Sequence, residues 1–259
     1  MKVLQLLLAI SLTMLAISCT TSEGDKMGDG EGNGTISSTE YQNLPRICDD
    51  DENTLVLTEP LTVEANYLKN EYTAEIYLTV LLSEEFRKSL GTVIFPPADA
   101  IQAEVDNISI TADDTAYEWE IDGERYVYLL TNAGYQIRYY PTGSLAGREL
   151  AYMIQKEDCS KVEYVQYVVE EEDGKDIGDL AFTYKYQQAG TAKIAYFSNC
   201  EDDPNSPSYN VRIFDDLSGE LSVSEQGSVI RQISWQADGS GSYSILENGE
   251  VVDSGAWQL

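Results

Sequence analysis

The chain has 259 residues and a formal charge of -29, with 45 acidic side chains against 16 basic ones and no histidine. That balance repels phosphate backbones and anionic headgroups, which sets nucleic acid aside as a partner. The missing imidazole excludes Ser-His-Asp and Cys-His catalysis and zinc sites built on histidine, while an apolar share of 42% suffices for a real core.

Residues 1–18 read as a secretory signal peptide. Lys2 supplies a positive charge, and Val3 to Ile17 then run apolar with only Gln5, Ser11 and Thr13 interrupting. The run is shorter than the roughly 20 residues a bilayer crossing needs. It closes on Leu15-Ala16-Ile17-Ser18-Cys19, which resembles a bacterial lipobox. The resemblance implies cleavage before Cys19 and acylation there by diacylglycerol and a fatty acid such as palmitate. Each buried CH₂ adds roughly 0.8 kcal/mol, so several chains make a lasting anchor. Thr20 in place of aspartate after the cysteine implies, by the family's sorting habit, the outer membrane.

Residues 19–44 follow as an acidic, glycine-rich tether with few large apolar side chains. Within it, Asp29, Glu31, Asn33 and Thr35 stand at alternate positions, Gly34 at the sixth, Ile36 at the eighth and Glu40 at the twelfth. This spacing resembles an EF-hand loop, in which alternate oxygens converge on one ion and the last glutamate closes the site, and it implies Ca²⁺ as a ligand. A plain solvated tether is the other reading of the same composition.

The globular part is expected over 45–259, with a sub-boundary near 105–115. The acidic run Cys48-Asp49-Asp50-Asp51-Glu52-Asn53 reads as a solvated loop. Thr54 to Leu57, Leu61 to Ala65 and Thr73 to Leu82 are predicted strands, the last dense in β-branched and aromatic residues. Ser83 reads as a helix N-cap and Gly91 as the stop, which makes Ser83 to Leu90 a short helix. Pro96-Pro97 breaks the chain, and periodicity leaves 98–105 open between strand and helical turn.

From Tyr117 the pattern is regular. Tyr117, Trp119 and Ile121 alternate with acids, Asp122-Gly123 turns the chain into Tyr126, Tyr128 and Leu130, and Asn132-Ala133-Gly134 turns it into Tyr135, Ile137 and Tyr139. Further strands are predicted at 150–155, 161–169, 180–186, 193–198, 209–214, 221–224, 229–235, 242–246 and 251–257, the last two joined by Asn248-Gly249. No repeat of fixed length is expected. Short turns between successive strands favour antiparallel pairing. The predicted fold is therefore all-β, an antiparallel meander closing into a barrel or sandwich, with one short helix.

The terminal stretch from Trp235 to Trp257, WQADGSGSYSILENGEVVDSGAW, resembles the closing hairpins of lipocalin-like and other lipoproteins from Bacteroidetes. The resemblance implies fold class and compartment. Asp114-Thr115-Ala116 resembles the short O-glycosylation signal of envelope proteins from the same group, which implies Thr115 as acceptor, in an expected exposed turn.

Besides Cys19 there are Cys48, Cys159 and Cys200, so one disulfide is the most a monomer forms without it. The expected pair is Cys159 with Cys200, whose loop would stabilise by roughly 3 to 4 kcal/mol. Eighteen tyrosines and three tryptophans against five phenylalanines suit a ligand laid on a sheet. Tyr126, Tyr128, Tyr139, Tyr164, Tyr184 and Tyr186 are the candidate platform, the plain alternative being tyrosine used for cross-strand pairing. The functional expectation is an outer-membrane lipoprotein whose β domain binds a glycan, a peptide or an envelope protein without catalysis. A carboxylate-dependent glycoside hydrolase and a structural envelope protein are the alternatives.

Overall fold

The computed structural model describes residues 54–63, 70–93, 96–97, 100–102, 115–121, 123–131, 134–140, 149, 151–168, 176, 178–199 and 206–259, with residues 42 and 44. The expected signal peptide, Cys19, the Asp29 to Glu40 loop, the acidic run at 48–53, and Cys48 and Cys200 lie outside the described residues.

Among the described residues two helical elements of defined extent precede the sheet: α1, Glu59–Thr62, and α2, Glu71–Val93. Thirteen strands follow: β1 Ile101–Gln102, β2 Thr115–Ile121, β3 Glu124–Thr131, β4 Gly134–Tyr140, β5 Ala151–Gln155, β6 Lys161–Tyr167, β7 Leu180–Ala189, β8 Ala192–Asn199, β9 Ser208–Phe214, β10 Gly219–Glu225, β11 Ser228–Trp235, β12 Gly241–Glu247 and β13 Glu250–Trp257. They form one sheet in strict chain order, every neighbouring pair antiparallel. The expected all-β meander is what the chain builds. Barrel closure is not, because no pairing joins β13 to β1 among the described residues.

The predicted strand over Thr73 to Leu82 is corrected to helix, as are Leu61 and Thr62 of the one from Leu61, while Thr54 to Leu57 joins no strand ladder. Ser83 is not an N-cap but lies in mid-helix. The cap is Asn70, whose Oδ1 accepts from the Tyr72 amide at 2.8 Å. Tyr72, Ile76, Thr79, Val80, Ser83, Arg87 and Leu90 are buried at steps of three and four, the helical period. Threonine, serine and arginine at several of these core positions hide that period from an apolar count.

On the sheet, one cross-strand row joins Tyr117, Tyr128, Ile137, Met153, Tyr164, Tyr184, Phe197, Tyr209 and Val223. Side chains alternate between faces, so this row and its neighbours make one face aromatic and apolar. Helix α2 lies across it. Tyr72 stacks on Tyr243 of β12 at 3.8 Å, Glu75 pairs with Arg231 of β11, Ser83 meets Tyr184 of β7 at 3.3 Å, and Phe86 packs on Tyr164 of β6 at 5.4 Å. From Tyr72 to Phe86 the helix rises about 21 Å, whereas six strand spacings measure roughly 29 Å. The shorter chord places the helix on the concave side of a curved sheet.

The C-terminal strands hold a repeat that sequence reading passes over. Residues 214–235 and 236–257 are identical at eight of 22 positions and reproduce the same local chemistry. Asp216 Oδ1 accepts from the Ser218 amide at 3.0 Å and hydroxyl at 2.6 Å, as Asp238 does from Ser240 at 2.9 and 2.6 Å. Both hairpins turn through consecutive positive-φ residues, Gln226-Gly227 and Asn248-Gly249, and both carry a register shift at the same place, after Val223 and after Ile245. In each, a tryptophan lies over a glycine and donates its indole N–H to the turn: Trp235 to the Leu217 carbonyl at 3.1 Å, Trp257 to the Gly239 carbonyl at 2.9 Å. A Cβ on Gly219 or Gly241 would stand 2.2 Å from the tryptophan ring.

Gly241→Ala is therefore expected to lower stability by about 1–3 kcal/mol through overpacking. Ser244→Ala, in the row on the opposite face, should change it by less than about 0.5 kcal/mol. Urea titration followed by tryptophan fluorescence checks both, and equal midpoints for Gly241→Ala and the parent would contradict the tryptophan-glycine account.

Candidate functional site

The six candidate platform tyrosines share the concave face, where Tyr164 and Tyr184 pack against Phe86 of α2. Tyr128 and Tyr184 have no exposed surface, and Tyr186 has 1%. Tyr164 is packed between Phe86 and Phe182, and Tyr126 between Trp119 and Tyr139. The platform reading is thus corrected for the buried three, which serve as core. Burial raises the hydroxyl pKa of Tyr128, Tyr135 and Tyr184 well above the usual tyrosine range, and lifts that of Tyr209 to about 12.

The two buried carboxylates among the described residues are both committed. Glu84 accepts from the Leu55 amide at 2.9 Å and from Arg87 at 2.9 Å, tying the segment before α1 to α2. Arg87 also reaches the Thr54 hydroxyl at 3.3 Å, and Lys193 of β8 donates to the Thr54 carbonyl at 3.1 Å. Glu75 binds Arg231 at 2.7 Å. Through these bonds the two glutamates clamp helix to sheet and to the preceding segment. Among the described residues no three of His, Cys, Asp or Glu are grouped to hold a metal.

Over β9 to β13 the convex face is polar. The row Asn210, Ser222, Gln232, Ser244 and Ser254 crosses β9 to β13 without a charge. Beside it a shallow groove of about 620 Å³ is lined by Ser234, Gln236, Ser240, Ser242, Ala256 and Gln258. Ser234 and Ser242 bond to each other across it at 3.0 Å. Thr115 opens β2 opposite Leu130 and is half-buried, so the exposed turn expected there is a strand start.

Cys159 is disulfide-bonded and sits in a third Asp-x-Ser turn, where Asp158 accepts from the Ser160 amide at 3.0 Å. The Ser160 carbonyl takes the Gln188 amide at 2.8 Å, at the end of the sheet where β7 turns into β8. Cys200, its expected partner, lies outside the described residues. Comparison with protein-family models and with curated proteins finds no match for the chain.

One expectation concerns alkali. Below about pH 10 the buried tyrosines are protonated folded and unfolded. Above it the unfolded chain ionises first, so stability falls from about pH 10 upward. Denaturation midpoints that stay level from about pH 9 to about pH 11.5 would contradict that burial.

Proposed function

We propose that the chain is a lipoprotein of the outer membrane, lipidated at Cys19, with residues 19–44 as tether and the β domain as a non-catalytic binding or accessory module. The observation that carries the reading is the apolar run of Val3 to Ile17 ending in Ser18-Cys19. Support from the fold is of another kind. The concave face is filled by α2, the buried carboxylates are bonded to arginine, and the surface left for a partner is the convex face and the end of the sheet. The Asp29 to Glu40 loop is the Ca²⁺ candidate within the tether.

Metabolic labelling with an alkyne fatty acid, followed by detergent phase partition, tests the anchor. The parent chain is expected to take the label and enter the detergent phase, and Cys19→Ser to lose both. An unlabelled parent chain would overturn the reading.

A further inference from the structure

We propose that the outer edge of β13 accepts an extended, basic segment of a partner protein as an added strand. The argument starts from the repeat. Strand β11 is the second strand of its unit, and its outer edge is taken by β12 over Arg231 to Trp235. The equivalent stretch of β13 is Asp253 to Trp257, and among the described residues no strand pairs with its outer side. Both strands carry the same register shift just before this stretch. In β11 that irregularity coexists with pairing, so it leaves the edge of β13 equally fit to pair.

The edge shows the marks of a missing neighbour. Val251 and Val252 are 58% and 53% exposed, while their counterparts Val229 and Ile230 are half-buried. The Ser254 amide donates to the adjacent Asp253 carboxylate at 2.8 Å, a local substitute for a strand carbonyl. No proline interrupts Glu250 to Trp257.

Charge selects the occupant. Where β11 has Arg231, β13 has Asp253, and Glu250 lies three residues before it. A second copy would bring another chain of charge -29 to this acidic edge. A strand with lysine or arginine opposite Asp253 pairs favourably instead, main-chain bonds supplying affinity and that side chain the choice. This deepens the partner-protein side of the function proposed above and rests on it for the partner's location alone. Binding in solution tests it independently of the anchor.

The probe is a labelled peptide with the β12 sequence of residues 240–247 in which lysine replaces Ile245, the residue opposite Arg231, and Glu247. Fluorescence anisotropy with the full chain should show binding, and hydrogen exchange should slow at 253–257. A scrambled peptide of equal charge should leave that exchange unchanged. Asp253→Lys, an exposed position, should weaken binding by about fivefold or more and favour a glutamate version of the peptide, with the fold checked by circular dichroism. Absent binding, binding indifferent to Asp253→Lys, protection elsewhere than 253–257, or self-association through this edge would each overturn the proposal. None of these results bears on lipidation at Cys19.

Discussion

A sheet with one aromatic face must cover that face, and here the cover is a single helix. Everything else in the described fold follows from the passage of α2 across β6 to β12. Its length sets the curvature, its Tyr72 and Phe86 mark the two ends of the contact, and its glutamates determine how it is held. Glu75 to Arg231 fastens the helix to the sheet, while Glu84 gathers Arg87 and the Leu55 amide. Removing one partner of such a buried pair leaves an uncompensated charge, which costs more than the intact pair contributes.

The aromatic composition then has a structural explanation. A helix crossing the strands at one level leaves gaps along each strand, and large flat rings fill them better than aliphatic side chains of similar depth. Tyr128 on Tyr135 and Phe197 on Tyr209 stack at 5.1 and 5.0 Å. At the C-terminal end the tryptophan-over-glycine units do the same within each hairpin. The glycine is needed because the indole occupies the place of its side chain, and the indole N–H is satisfied by a turn carbonyl.

With the concave side covered by α2 over β6 to β12, the convex row and the last strand are the features that lie clear of the helix. The convex row from Asn210 to Ser254 is uncharged in a strongly acidic chain, and β13 is the strand whose equivalent within the molecule is paired. The repeat therefore matters for function as well as fold, since it lets one edge be compared with another inside the same protein.

Much of this was legible from residues alone. The positions of β2 to β13 follow from two-residue alternation and from turns such as Gly123 and Asn248-Gly249, because these signals are local. So does the chain-order meander, given short connections, and the proposed anchor at Cys19 rests on sequence entirely. Ser83 to Leu90 was legible as helix, but the first half of Glu71–Val93 was not, because β-branched residues and polar core positions obscure a period that only packing on the sheet enforces. Nor was the direction of the tyrosines: alternation says that Tyr128 and Tyr184 share a face, but which face is buried depends on what covers it. Sequence by itself determined the strands, the turns and the expected address; tertiary structure decided the cover, and through it which residues are core and which edge is left to pair.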